Sequence, residues 1–240
     1  MLTFDLTPDE HPECRYCSSL LAPGDSAHRS EFNTPVLESA NFLVVPTLGH
    51  FVPGWLLIIP RLHYPCLGAL DRSLATELNL VKAESEQLLM SMYSSVIKFE
   101  HGPCSTGVAG ACVDHAHLHL VPTSVDLRCE LSRRFVGRTI NDITELANSY
   151  REGRSYLFFE DAKGVKTVYD VELLPSQYMR MLLARELKTQ DKYDWRSYPG
   201  TAELKTFLHN LKELQSERRV SELLTRRQAE RTAAGEEKLR

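Results

Sequence analysis

The sequence predicts an α+β fold built on an antiparallel sheet, and three observations carry the prediction. Asp114–Pro122 reads DHAHLHLVP, in which His115, His117 and His119 alternate with Ala116, Leu118 and Leu120. That is the period-two pattern of a strand with the histidines on one face. Residues 36–45 and 55–60 are two further β-rich apolar runs, joined by the turn-forming stretch PTLGHFVPG. Before the histidines, a helical repeat over about 72–98 places Leu74, Leu78, Val81, Leu88, Met92 and Val96 on one stripe.

Composition narrows the function classes. At 240 residues the chain can bury one large domain or a domain with an appendage. Charged residues at 25% and hydrophobic ones at 42% are ordinary for a globular protein. A net charge of -4 gives no bulk reason to bind a nucleic-acid polymer or an anionic membrane. No apolar run approaches the ~20 residues that span a bilayer. The opening MLTFDLTPDEHPE lacks the basic and apolar regions of a signal peptide. Cys14, Cys17, Cys66, Cys104, Cys112 and Cys129 are therefore expected as reduced thiols or metal ligands in a cytoplasmic protein.

Taken in order, the chain first presents Cys14 and Cys17 as a CxxC. It reads either as a redox pair or as half of a metal site. Pro12 and a loop precede it, where a redox pair would follow a strand. A second CxxC is absent from the sequence, so partners for a metal would be histidines. The two apolar strands follow, then Pro60-Arg61-Leu62-His63 and a loop. Asp71 opens the long helix. Residues 96–100 turn extended, and His101–Gly110, rich in Gly, Pro and Ser, forms a loop. Cys112–Val121 is the histidine strand, stopped by Pro122. Its next-but-one side chains stand roughly 6–7 Å apart, which suits reading a phosphate chain or dividing between a metal and a substrate.

In the second half, Thr139-x-x-Asp142 suggests a capping box opening a helix. Tyr156–Asp161 and Lys166–Leu173 flank an Ala-Lys-Gly turn and predict a β-hairpin. A helix runs from Ser176-Gln177 to about Lys188, another covers 201–215, and the charged end of mixed sign reads as a tail. The expected division is a catalytic domain over 1–130 with its N-terminal metal segment, an extension of hairpin and helices packed on it over 131–215, and a tail over 216–240.

This layout resembles the histidine triad family. The matching residues are Val52-Pro53-Gly54 through Ile58-Ile59-Pro60-Arg61-Leu62-His63, then Gly107, Gly110 and His115–Pro122, within a match of about residues 14–123. The resemblance implies a histidine triad fold and a structural zinc on Cys14, Cys17, His63 and His115. His50 and His11 are the next candidates for that metal, with His50 better read as a turn histidine. It also implies that His117 attacks the α-phosphorus of a nucleotide, giving a nucleotidyl-histidine, while His119 contacts the phosphate or bridging oxygen. No Mg²⁺ is required by this scheme. The expected activity is hydrolysis of a nucleotide phosphoanhydride or phosphoramidate. One alternative is a nucleotidyltransferase or phosphorylase that uses another acceptor, and another is a non-catalytic zinc-stabilised nucleotide-binding protein. By the same resemblance a homodimer is expected.

The chain departs from the family at points that matter. Trp55 follows Pro53-Gly54 where members commonly have His. Cys112 falls where many have a polar side chain contacting the phosphate, and Asp114 is unusual. The loop with His101 and Ser105 replaces an Asn-Gly segment near the phosphates, which makes both residues candidate substrate contacts. A weaker resemblance to longer members covers Ser176-Gln177-Tyr178 and Asp194-Trp195-Arg196, and suggests that Gln177 and Arg180 reach back to the site.

Overall fold

A computed structural model describes residues 14–21, 33–103, 115–172 and 174–216. His11, Ser105, Cys112, Asp114 and the 217–240 part of the tail lie outside the described residues.

One antiparallel sheet of eight strands runs through both halves of the chain, in the order β1-β2-β3-β5-β4-β7-β8-β6. Its strands are β1 (Leu37–Glu38), β2 (Phe42–Pro46), β3 (Leu56–Pro60), β4 (Ile97–Gly102), β5 (Leu118–Val121), β6 (Gly137–Ile140), β7 (Tyr156–Glu160) and β8 (Lys166–Asp170). The expected α+β class and the hairpin of the second half are both present. The hairpin joins the sheet itself, because β7 pairs with β4 from Lys98 opposite Glu160 to Gly102 opposite Tyr156.

β2 and β3 are continuous apolar runs, FLVVP and LLIIP, and every residue in them is buried. Such runs belong to strands covered on both faces. On one face Phe42, Val44, Leu56, Ile58, Leu118 and Leu120 pack against α1 (Ala75–Met90) and against Leu204 and Phe207 of the helix over 201–216. On the other face Phe99, Leu157, Phe159 and Tyr169 pack against α4 (Tyr178–Glu186). Leu43, Val45, Leu57 and Ile59 continue that second face under Leu20 and Tyr16. The site lies between these last two coverings. Burying each large side chain contributes roughly 1.5–3 kcal/mol, so the sheet is a rigid base for whatever projects from it.

Several local expectations are corrected. The long helix ends at Met90, where Ser91 caps it, and the chain turns before entering β4 at Ile97. Asp71 does open the helical region, accepting from the Ser73 amide ahead of a 3-10 turn. The capping box sits three residues later than expected. Asp142 accepts from the Thr144 amide and Glu145 reaches back to the Asp142 amide, while Thr139 is held in β6 opposite Thr167. The short helices α2 (Arg128–Ser132) and α3 (Leu146–Arg151) flank β6. The histidine segment is a strand only from Leu118 onward. His115 and His117 precede the ladder, and His115 turns away to meet the N-terminal segment.

Candidate functional site

The residues of the CxxC begin a short helical segment that lies against the entrance to β5. Its thiols meet two imidazoles. Cys14 Sγ is 3.5 Å from His115 Nδ1, Cys17 Sγ is 3.5 Å from the same nitrogen, and Cys17 Sγ is 3.4 Å from His63 Nδ1. The four ligand atoms all lie within 4.8 Å of one another, and all four residues are buried. A tetrahedral metal with bonds of about 2.0–2.3 Å holds its ligand atoms at such separations. The outer nitrogen of His115 has its own partner: Nε2 lies 2.9 Å from the Pro60 carbonyl oxygen. Nε2–H donates there, which turns the Nδ1 lone pair toward the cysteines, as the outer partner of a metal-bound histidine does. This buried group could hold a metal ion. His50 is far from it in role. Its Nε2 accepts from the Gly54 amide at 2.9 Å, and burial pulls its pKa down to about 4.

His117 follows directly. Its Nδ1 is 2.6 Å from the carbonyl oxygen of His115. A carbonyl only accepts, so Nδ1 carries the proton and Nε2 keeps a lone pair. Burial lowers the His117 pKa, partly opposed by that carbonyl, and favours the neutral ring. Tyr16 sets the edge of its ring against both His115 and His117, each 5.6 Å away between centroids.

His119 stands in β5 between Leu57 of β3 and Phe99 of β4. Its ring stacks on Phe99 with centroids 4.4 Å apart, and its Nδ1 accepts from Trp55 Nε1 at 3.0 Å. Burial, with His117, Arg180 and His101 nearby, holds its pKa well below the usual histidine value. His101, next to Glu100 in β4, is lowered to about 4 by burial and by His117. Its Nε2 is buried without a hydrogen-bond partner among the described residues.

His101, His117 and His119 open into one pocket. Val45, Pro46, Leu48 and Leu57 form an apolar wall, and Arg15 and Tyr16 close it from the N-terminal side. Gln177, Met179, Arg180 and Trp195 close it from the C-terminal side, so the second half of the chain borders the histidines. Gln177 donates from Nε2 to Asp194 and accepts from the Trp195 amide, which holds the turn carrying Trp195. Arg180 donates to the carbonyls of Leu48, Gly49 and Tyr193. Its guanidinium lies over Trp55 at 4.5 Å and Phe51 at 5.1 Å. Gly49 has φ +67, and a Cβ there would run into Arg180 and Trp195. Among the residues named from sequence, Gln177 and Arg180 thus border the pocket with polar groups engaged on protein partners.

Sequence reasoning missed three contributors. Tyr16 was hidden inside the CxxC, Phe99 looked like an ordinary core strand residue, and Trp55 registered only as a departure in the turn.

No protein-family model matches the sequence, and no curated protein matches it. Solved structures do resemble the chain. A HIT family hydrolase from Clostridium thermocellum is 22% identical, covering 39% of this chain and 81% of that one with a TM-score of 0.31. A yeast Ap4A phosphorylase in complex with AMP is 15% identical, covering 57% of this chain and 58% of that one with a TM-score of 0.36. A uridylyltransferase is 10% identical, covering 70% of this chain and 86% of that one with a TM-score of 0.36. The named neighbours are a histidine triad hydrolase and nucleotide-handling enzymes. Likenesses at these TM-scores leave the chemistry to be argued from the side chains.

Proposed function

We propose that this chain is a histidine triad hydrolase that cleaves a nucleotide phosphoanhydride or phosphoramidate through a nucleotidyl-histidine at His117. The observation that carries the reading is the 2.6 Å hydrogen bond from His117 Nδ1 to the His115 carbonyl. It leaves Nε2 with a lone pair inside a pocket, in a ring that burial keeps neutral. In the first step Nε2 bonds to the α-phosphorus as the bond to the leaving group breaks, and the electron pair goes to that group. The ring then carries phosphorus on Nε2 and hydrogen on Nδ1, and the His115 carbonyl stabilises its positive charge. In the second step water attacks phosphorus, the electron pair returns to Nε2, and the water proton leaves with product or solvent. In this reading His119 and His101, which line the same pocket, would donate to a phosphoryl oxygen.

Cys14, Cys17, His63 and His115 would hold zinc in this reading. With four protein ligands and no open position, the metal would supply a structural crosslink. Arg180 and Gln177 position the pocket wall through their carbonyl and turn contacts.

Mass spectrometry tests the proposal. Protein quenched during turnover with a panel of nucleotide donors gains one nucleotidyl group on His117. Turnover that leaves no adduct and survives His117→Ala overturns it. A second reading, transfer to phosphate or a small acceptor, is favoured by the wall of Gln177, Met179 and Trp195 contributed by the second half. Release of free mononucleotide in water alone supports the hydrolase over the transferase.

A further inference from the structure

Trp55 is fully buried, and its indole cannot move freely. Phe51 meets it edge-on at 5.2 Å, Phe99 at 5.9 Å, and the Arg180 guanidinium covers it at 4.5 Å. Its backbone is pinned on both sides, the Trp55 amide to Val52 and the Trp55 carbonyl to the Thr47 amide. The residue before it, Gly54, has φ +84 and sits against Tyr93 and Pro122, so the turn that presents the indole leaves no room for a side chain. The one polar atom of this clamped ring points at His119 Nδ1, 3.0 Å away.

An indole N–H only donates. His119 Nδ1 must therefore offer a lone pair, and in the neutral ring the proton sits on Nε2, on the pocket side. A second proton on Nδ1 would set two N–H groups against each other at hydrogen-bond distance. The stack on Phe99, at an interplanar angle of 17°, holds the ring plane, and a ring flipped within that plane would set a C–H against the buried indole N–H. The titratable and charged groups facing it, His117, His101 and Arg180, add no negative charge that would favour an imidazolium.

We propose that Trp55 is a positioning residue that locks His119 as a neutral Nε2–H donor, and that the site therefore prefers phosphoanhydride donors over phosphoramidates. The preference rests on the nucleotidyl-transfer reading; the tautomer does not. A neutral imidazole can hydrogen-bond a phosphoryl oxygen, but giving up its only proton would make it an imidazolate. His119 then stabilises charge without acting as the acid. A phosphate or nucleotide leaving an anhydride departs as an anion and needs no proton. An amine leaving a phosphoramidate does need one, and must take it from solvent.

The first measurement is the nitrogen NMR spectrum of His119 in the full-length wild-type protein, which needs neither a variant nor turnover. The expected signature is a protonated Nε2 and a bare Nδ1 at neutral pH. A protonated Nδ1 overturns the proposal. The second measurement compares kcat/KM for an anhydride and a phosphoramidate of the same nucleotide. Trp55→Phe keeps an aromatic ring but removes the donor. It should lower the anhydride-to-phosphoramidate ratio about tenfold, the scale of one hydrogen bond, and release His119 to a mixture of tautomers in the spectrum. An unchanged ratio with an unchanged His119 spectrum overturns the role of Trp55. Failure of every donor to label His117 would count against the nucleotidyl-transfer reading, with the wild-type spectrum still deciding the tautomer.

Discussion

His115 and His117 are joined through one peptide carbonyl: the ring of His115 belongs to the buried cysteine–histidine cluster, and its carbonyl oxygen accepts from His117 Nδ1 at 2.6 Å. Any change that lets the His115 backbone drift releases the proton position of His117. Loss of a cluster ligand should therefore reach the pocket. Cys14→Ser is expected to lose bound metal, to lower stability by several kcal/mol, and to lower kcat by roughly 10–100-fold, the range seen when a metal's supporting partners are removed. In a chain of this size each kcal/mol is worth about 2–4 °C in Tm. Metal content, Tm and turnover measured on the same sample check it. Wild-type Tm and full turnover in Cys14→Ser would reject a structural metal at this site.

His117→Ala should separate chemistry from folding. The His117 ring lines the pocket and makes its one strong hydrogen bond to a local carbonyl. Its removal is expected to move Tm by no more than a few degrees while turnover falls by about 10³-fold or more, as when a nucleophile is removed from a site that still binds. His119→Ala should retain labelling of His117 at a reduced rate. Circular dichroism, thermal melts and single-turnover labelling distinguish the two.

How much of this could be read from the chain alone follows from the range of the interactions. Strand alternation and Pro-Gly turns are local, so the apolar strands, the long helix and the second-half hairpin were legible. The pairing of β7 with β4, which makes one sheet of both halves, depends on Phe99 meeting Phe159 across 60 residues, and no local pattern encodes it. The grouping of Cys14, Cys17, His63 and His115 came from the resemblance rather than from spacing, since the CxxC itself left a redox pair open. The environment of Arg180 was not legible either. Nothing in the sequence near residue 180 announces that its guanidinium would meet the carbonyls of Leu48 and Gly49. Trp55 and Phe99 matter through their contacts with His119, and those contacts exist only once β3, β5 and β4 lie side by side.

Beneath the site, Lys98 and Glu160 are paired across β4 and β7 at 2.9 Å and are almost fully buried. Glu160 also takes Lys82 at 2.7 Å, and Lys98 takes Glu86 at 2.6 Å. Burying such charges is tolerable only while each is matched. Glu160→Gln leaves two ammonium groups short of a partner and should destabilise the protein by about 3–5 kcal/mol. The double replacement Lys98→Met with Glu160→Leu should recover only the part of that loss that comes from Lys98, because it removes that ammonium together with the carboxylate facing it while Lys82 still lacks its partner. Urea denaturation of the two variants beside the wild type provides the check. A double variant less stable than Glu160→Gln alone would contradict this account of the network.

Glu100 gives a stability signature in pH. Its carboxyl is buried, accepts from the Leu67 amide and from the Tyr156 hydroxyl, each at 2.7 Å, and burial pushes its pKa up to about 8 against an ordinary value of 4.5. The native state therefore holds a proton that the unfolded chain gives up. The stabilisation is complete below about pH 4.5 and is lost as pH rises toward 8 and past it. Glu100→Gln keeps an acceptor for Leu67, and its amide can donate to the Tyr156 oxygen, which already accepts from Gly68. It cannot ionise. Unfolding free energy measured by denaturant from pH 5 to 9 should fall more steeply for the wild type than for Glu100→Gln. Other titrating groups, His50 among them, are common to both proteins and cancel in the difference. Parallel curves would mean that Glu100 titrates alike in the folded and unfolded states, and the burial argument for its raised pKa would fail.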